Sequence, residues 1–308
     1  MNPSSIDLSV CICTFKRPEG LRKLLASLAA MDRPADCNFE VLVVDNDSAG
    51  SAQALVHELQ PGFPWPLRYA LEVRSGVGHA RNRCVQEAAG NWIAFIDDDE
   101  WAEPAWLSAL VDAARAHTAD AVFGPVLAEF AQTVSSELLA SGYFSRPRFK
   151  TGQSLDWRQC ATGNVLFKRQ LFQQAGGFRA AFSVSGGEDT EFFSRCQLQG
   201  AALIWCDTAV AHEDIPADRI TRDWILKRYY LTANNYARVR RTQGGWPTAA
   251  DMALRGLVGL VVFGAAALAA RVVGSSKRLA YECKAASGLG KLAAVAVTPQ
   301  NSFGGRAD

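Results

Sequence analysis

The chain has 308 residues, enough for one large α/β domain or one domain with an appendage, and its 32 lysines and arginines nearly balance 31 aspartates and glutamates. That balance excludes a global field of the kind that holds nucleic acid, so charge-driven chemistry has to be local. The eight cysteines are scattered without a C-x-x-C pair, which favours reduced core thiols over disulfides or zinc ligands. The opening MNPSSIDLSVCIC has no basic region ahead of an apolar core and no small-residue cleavage site, so the expectation is no secretory signal and a cytoplasmic catalytic part.

Leu8 to Thr14 is an apolar, β-branched run that breaks at Phe15-Lys16-Arg17-Pro18, after which Leu21, Leu24, Leu25 and Leu28 recur at helical spacing. Phe39 to Val44 repeats the strand pattern and stops at Asp45-Asn46-Asp47-Ser48, leading into a helix over Ser51 to Leu59. Leu67 to Val73 reads as a third strand, and Gly76 to Asn82 opens a helix that runs to about Ala89. Trp92 to Ile96 suits a strand buried on both faces, which then meets Asp97, Asp98, Asp99 and Glu100. Packed like charges repel, so this acidic strand end is either a site for a hard cation such as Mg²⁺ or Mn²⁺, or a solvated turn capping the helix that Pro104 opens. A helix over Ala105 to His117 follows.

Beyond Ala119 the alternation loosens. Ala121 to Ala128 reads as one strand, Gln132 to Lys150 as irregular, Val165 to Lys168 and Ala202 to Cys206 as strands. Gly186-Gly187-Glu188-Asp189 opens a helix through Leu198, and Ile220 to Arg241 is helical and rich in Arg, Lys and Tyr. Strands alternating with helices at this spacing mean βαβ units and a mostly parallel mixed sheet, whose ligand site lies outside the carboxyl ends of the strands. That rule gathers Thr14, Arg17, Asp45, Asp47 and Asp97 to Asp99 onto one edge.

The order of VCICTFKRPEGL, FEVLVVDNDS, RSGVGHARN, WIAFIDDDEWAEPAWL, ATGNVLFKR, GGEDTEFFSRC and VAHEDIPADR resembles glycosyltransferase family 2, over about Val10 to Arg241. The resemblance implies a GT-A-type, Rossmann-like fold and an inverting enzyme that uses a nucleotide-sugar. Asp97 and Asp99 match the family's metal-binding carboxylates, with Asp98 between them on the donor side. Thr14, Arg17, Asp45 and Asp47 match positions that hold the nucleotide, and Arg81 and Asn82 the piece beside nucleotide and diphosphate, unless Arg81 simply pairs with a nearby Asp. Gly163 and Asn164 look like the loop beneath the sugar, or an ordinary turn. His212 is a candidate third metal ligand, against the plainer alternative of a structural histidine after an apolar strand. Glu188-Asp189 matches the acceptor-side acidic pair: Asp189 is read as the general base and Glu188 as its orienting neighbour, with the choice between them open, and Asp189 ahead of Thr190-Glu191 also suits a helix N-cap. Arg222 and Trp224 match a processive signature only in part, so transfer of one sugar per encounter is expected.

Gly256 to Ala270 carries no charge, a second apolar stretch runs from Gly288 to Val297, and basic residues flank them. The expected division is therefore a catalytic domain over 1–241 and, over 242–308, apolar C-terminal helices forming an interfacial or re-entrant hairpin, or else a soluble helix pair or dimer interface. Taken together, the expectation is a metal-dependent inverting glycosyltransferase on the cytoplasmic side of the cell membrane, passing a sugar from a UDP-sugar to a lipid-linked or cell-envelope saccharide. Two competitors are a catalytically silent nucleotide-sugar binder or membrane scaffold, and a phosphatase of the haloacid dehalogenase type. Against the latter, Glu100 and Trp101 stand where its motif carries Thr or Val.

Overall fold

The computed structural model describes residues 7–183 and 185–296. The described residues fall into two compact units: those within Met1–Leu127, Pro147–Val184 and Glu188–Glu213, and those within Ala128–Arg146, Ser185–Gly187 and Asp214–Asp308.

The first unit is built on β1 (Leu8–Thr14), α1 (Pro18–Ala29), β2 (Phe39–Asp45), α2 (Gln53–Leu59), β3 (Leu67–Leu71), α3 (Val77–Glu87) and β4 (Trp92–Ile96). Its main sheet has seven strands in the order β3-β2-β1-β4-β8-β6-β9, where β6 is Ala121–Phe123, β8 is Asn164–Lys168 and β9 is Leu203–Trp205. The first four are mutually parallel, whereas β8 runs antiparallel between β4 and β6, giving the mixed, mostly parallel sheet expected. Leu21, Leu24, Leu25 and Leu28 of α1 are fully buried against it, the stripe that their helical spacing demands.

Register does the work of assembly. Cys11 lies opposite Phe95, so three residues further along the paired strands Thr14 comes level with Asp98. Thr14 is also opposite Asp45, and Ile96 faces Asn164 across the antiparallel pair, which brings Gly163 level with Asp97. A one-residue slip would turn every one of these side chains to the other face.

Three local readings need correction. The run Ala121 to Ala128 is two strands, β6 and β7 (Val126–Phe130), because Gly124-Pro125 breaks it and proline has no N–H for the ladder. Glu100–Ala102 forms a short strand, β5, that pairs antiparallel with β10 (Ala211–Ile215) and places His212 beside Trp101. The helix expected from Ala105, α4, begins at Trp106 and ends at Ala116.

Inside β2, Glu40 is buried and accepts hydrogen bonds from Ser9 Oγ (2.7 Å), the Ala89 backbone N–H (2.7 Å) and Arg68 (2.9 Å). Burial by itself would raise its pKa above the ordinary 4.5, and these three donors outweigh it and hold the carboxylate below that value. Glu40→Ala leaves the buried Ser9 hydroxyl and the partly buried Ala89 N–H without their acceptor and is expected to cost about 2–4 kcal/mol in urea unfolding at neutral pH. Because the folded pKa is depressed, this contribution is present above pH about 4.5 and drains away as pH falls through the folded value, so the gap between wild type and variant should narrow in acid.

The second unit contains α5 (Ser136–Ala140), α9 (Arg222–Val272) and α10 (Arg278–Ala296). Thr221 caps α9, its Oγ1 accepting from the Trp224 N–H. α9 is broken at Gly245 (φ 61°, ψ −149°), a conformation suited to glycine, just before Trp246 and Pro247. The chain doubles back there: Ala237 from the first arm, Met252 from the second and Ala294 of α10 share one apolar cluster. Glycines let the helices approach closely, since a Cβ on Gly288 would strike the Leu260 backbone and one on Gly290 the Tyr230 carbonyl. Val297, the last residue of the expected second apolar stretch, lies outside the described residues.

Candidate active site

The site is built on the carboxyl ends of β1 and β4 and on the first turn of α8 (Glu188–Leu198). Successive aspartates on the turn after β4 diverge. Asp98 points inward and is 5% exposed: its Oδ2 accepts from Thr14 Oγ1 at 2.8 Å and its Oδ1 from Arg17 at 3.0 Å. Burial raises its pKa to about 6; Arg17 opposes that and the neighbouring Asp99 adds to it. Arg17 reaches Asp99 as well, at 2.9 Å. The pairing of Thr14 and Arg17 with the acidic turn is the convergence that the strand-end rule anticipates.

Asp97, with 40% of its side chain exposed, lies on the other side of the turn, and Arg81 donates to its Oδ1 at 3.3 Å. The other arm of the same guanidinium is bonded to Glu188 Oε1. Arg81 is buried in α3 and its charge is held firmly by these carboxylates, with Asp189 contributing. Burial pushes the Glu188 carboxyl up to about 7, with the Asp189 charge adding and Arg81 opposing. Glu188 Oε2 is buried without a hydrogen-bond partner. The Asp97 carboxyl is raised too, by desolvation first, with Arg81 opposing and the charges of Asp99 and Asp189 adding. The charge of Asp99 beside Asp97 fits a divalent cation, and the hard oxygens of these two aspartates are the donor set that Mg²⁺ or Mn²⁺ takes. Among the described residues, however, no three His, Cys, Asp or Glu side chains are gathered into a ready metal cage.

His212 lies on β10. Its ring stacks on Trp101 at 4.0 Å and 7°, and its Nε2 lies 3.1 Å from Glu103 Oε1. Gly163 sits where register puts it: a Cβ there would come 2.6 Å from Glu100 Oε1 and 3.2 Å from Asp97 Oδ2, so the loop can pass the acidic turn only without a side chain. Glu100, for which the sequence offered no role, is buried and accepts from the Asp97 N–H at 3.2 Å, fixing the turn.

Other expected ligand residues also hold the scaffold. Asp45 is fully buried and accepts from the Asp47 and Ala52 N–H groups and from Tyr69 OH, while Asp47 accepts from the Ala49 N–H. Asn82 exchanges two hydrogen bonds with the Phe178 backbone. Asn164 donates to the Pro125 and Ala209 carbonyls and accepts from the Trp106 indole, tying β8 to three other segments. Asn46, which nothing in the sequence singled out, donates to the Glu72 and Arg74 carbonyls and accepts from the Gly76 N–H, closing the loop ahead of α3. Such roles are invisible in sequence because an amide at a strand end serves a ligand and a backbone equally well.

Asp189, one residue on from Glu188, is half-buried, and its Oδ1 accepts from the Thr190 N–H (2.6 Å) and hydroxyl (3.2 Å). The acidic pair therefore has one inward member held by Arg81 and one open member held by its own helix.

A parallel sheet whose central strand ends in an acidic turn, beside a second acidic pair on a helix N-terminus, is the arrangement of a GT-A glycosyltransferase. The chain belongs to glycosyltransferase family 2 and is a glycosyltransferase: it matches the family described as glycosyl transferase family 2 over residues 9–176, and residues 144–213 also match the N-terminal domain of galactosyltransferase. It is 33% identical over 241 residues to the succinoglycan biosynthesis protein ExoM of Rhizobium meliloti (strain 1021), covering 78% of this chain and 77% of that one. Among solved structures, the fold is similar to that of the mannosyltransferase PcManGT from Pyrobaculum calidifontis in complex with GDP-Man and Mn²⁺, with a TM-score of 0.61 at 19% identity, covering 93% and 88% of the two chains. It is also similar to S. aureus TarS 1-349 in complex with UDP, with a TM-score of 0.55 at 18% identity, covering 92% and 89%. Family membership removes the phosphatase alternative.

Proposed function

We propose that this glycosyltransferase is metal-dependent and inverting, moving a sugar from a nucleotide-sugar, a UDP-sugar by preference, to a hydroxyl of a lipid-linked or cell-envelope saccharide at the inner face of the membrane. The observation that carries the reading is the Arg81 bridge, which joins donor-side Asp97 to acceptor-side Glu188 through one guanidinium. A divalent ion held by Asp97 and Asp99 would supply Lewis-acid stabilisation of the negative charge on the departing nucleoside diphosphate. Asp189 takes the proton of the acceptor hydroxyl as its oxygen bonds to the anomeric carbon, and the bond from that carbon to phosphate breaks on the opposite side with its electrons. Glu188, held by Arg81, keeps its neighbour in place. Thr14 and Arg17 lock Asp98 inward, so that the aspartates on either side of it turn toward the donor.

One of the solved relatives is bound to UDP and the other to GDP-mannose, so both bases belong in the test. In calorimetric titrations of UDP and GDP, Mn²⁺ is expected to tighten binding of one of them by at least about tenfold, and Asp99→Ala to abolish that gain together with transfer. Binding that ignores Mn²⁺, with turnover intact in Asp99→Ala, would overturn the metal-dependent scheme.

A further inference from the structure

The second arm of α9, beyond Gly245, has two unlike faces. Met252, Gly256, Ala267 and Ala270 are buried within the helical unit. On the other side Leu254, Leu257, Val258, Val261, Val262 and Leu268 are each between 51% and 64% exposed. With successive residues about 100° apart, these six fall within an arc of about 140°. No charge interrupts the stretch from Gly256 to Ala270, and Arg255 and Arg271 sit at its ends, roughly 100° to either side of the middle of the arc. Arg255 is partly neutralised by Asp251 (2.8 Å); Arg271 and Lys277 are exposed.

We propose that this face lies flat on an anionic lipid surface, its aliphatic side chains in the headgroup–acyl boundary and its arginines at the phosphates, without crossing the bilayer. The inference rests on the membrane placement proposed above and adds the surface that makes it and its orientation. Two observations choose lying over crossing. From Arg255 to Arg271 a helix rises only about 24 Å, short of the roughly 30 Å of a hydrocarbon core. In addition, Lys284 of α10 stands 4.9 Å from the ring of Phe263, at the midpoint of the uncharged stretch, so a crossing hairpin would carry an ammonium to mid-bilayer. Lying flat, the same pair leaves Lys284 on the side away from lipid. The uncharged arc with basic shoulders matches an anionic interface in both shape and sign.

The test is flotation of the full chain with phosphatidylcholine vesicles, with and without phosphatidylglycerol. The wild type is expected to float with the mixed vesicles. Val258→Glu/Val261→Glu should reduce flotation by about tenfold or more with unchanged circular dichroism, and Arg255→Gln/Arg271→Gln should remove the preference for phosphatidylglycerol. If the glutamate variant floats like wild type, this face is wrong and the membrane placement survives. If the wild type floats with neither vesicle, both fall. A dimer in light scattering that the glutamates dissociate, without vesicle binding, assigns the face to a second copy instead, and resistance of the bound chain to alkaline carbonate extraction overturns the flat orientation.

Discussion

Asp189→Asn is expected to lower turnover by about 10²–10⁴-fold while leaving Mn²⁺-linked nucleoside diphosphate binding within a factor of about two of wild type. The asymmetry follows from position. Asp189 belongs to the first turn of α8, where backbone N–H groups favour a carboxylate, and the Thr190 N–H and hydroxyl fix its Oδ1. Asparagine can keep those contacts and removes the basicity, together with the charge that Arg81, Asp97 and Glu188 feel. Glu188 is a poor base by comparison, being 3% exposed and already bonded to Arg81. Kinetics and calorimetry on Asp189→Asn and Glu188→Gln side by side make the choice: lost turnover with intact binding in Glu188→Gln, and a mild effect in Asp189→Asn, would exchange the two roles.

Arg81→Met should be the most damaging substitution to the fold of the site. It leaves Glu188 and Asp97 facing one another without the cation between them, and removing one partner of a buried pair costs about 3–5 kcal/mol. A loss of that size should be visible as a lower urea midpoint in the absence of any nucleotide. Glu188→Gln in the same background should return part of it, because a neutral amide needs no counter-ion, so the double-mutant cycle is expected to show a clear coupling. A different result separates the two roles of this arginine. If Arg81 serves the diphosphate alone, the variant keeps its unliganded stability and loses only nucleotide affinity. Burial of the guanidinium between two carboxylates supports the first outcome.

The sheet was legible because β1, β2 and β4 are largely apolar runs that only a fold with both faces covered can bury, and because Leu21, Leu24, Leu25 and Leu28 announce the helix after β1. β5 was not legible: three residues following three aspartates carry no period, and they become a strand only because β10 lies alongside to pair with them. The break at Gly124-Pro125 is written in the chain but masked by the equally apolar residues on either side.

For the site, the chain by itself determined which chemistry was available: hard oxygens at a strand end, arginines, and an acidic pair ahead of a helix, all in an order that marks the family. Tertiary structure decided their employment. Whether Arg81 pairs with carboxylates, whether Asn82 meets the Phe178 backbone, and whether His212 stacks on Trp101 depends on residues brought together from stretches up to 111 residues apart. Those choices turn on distances of a few ångströms, within which Coulomb attraction and desolvation are comparable, and linear order does not carry such distances. The same holds for the C-terminal helices: composition shows them apolar, but only the reversal at Gly245 decides which side of α9 meets α10 and which is left facing outward.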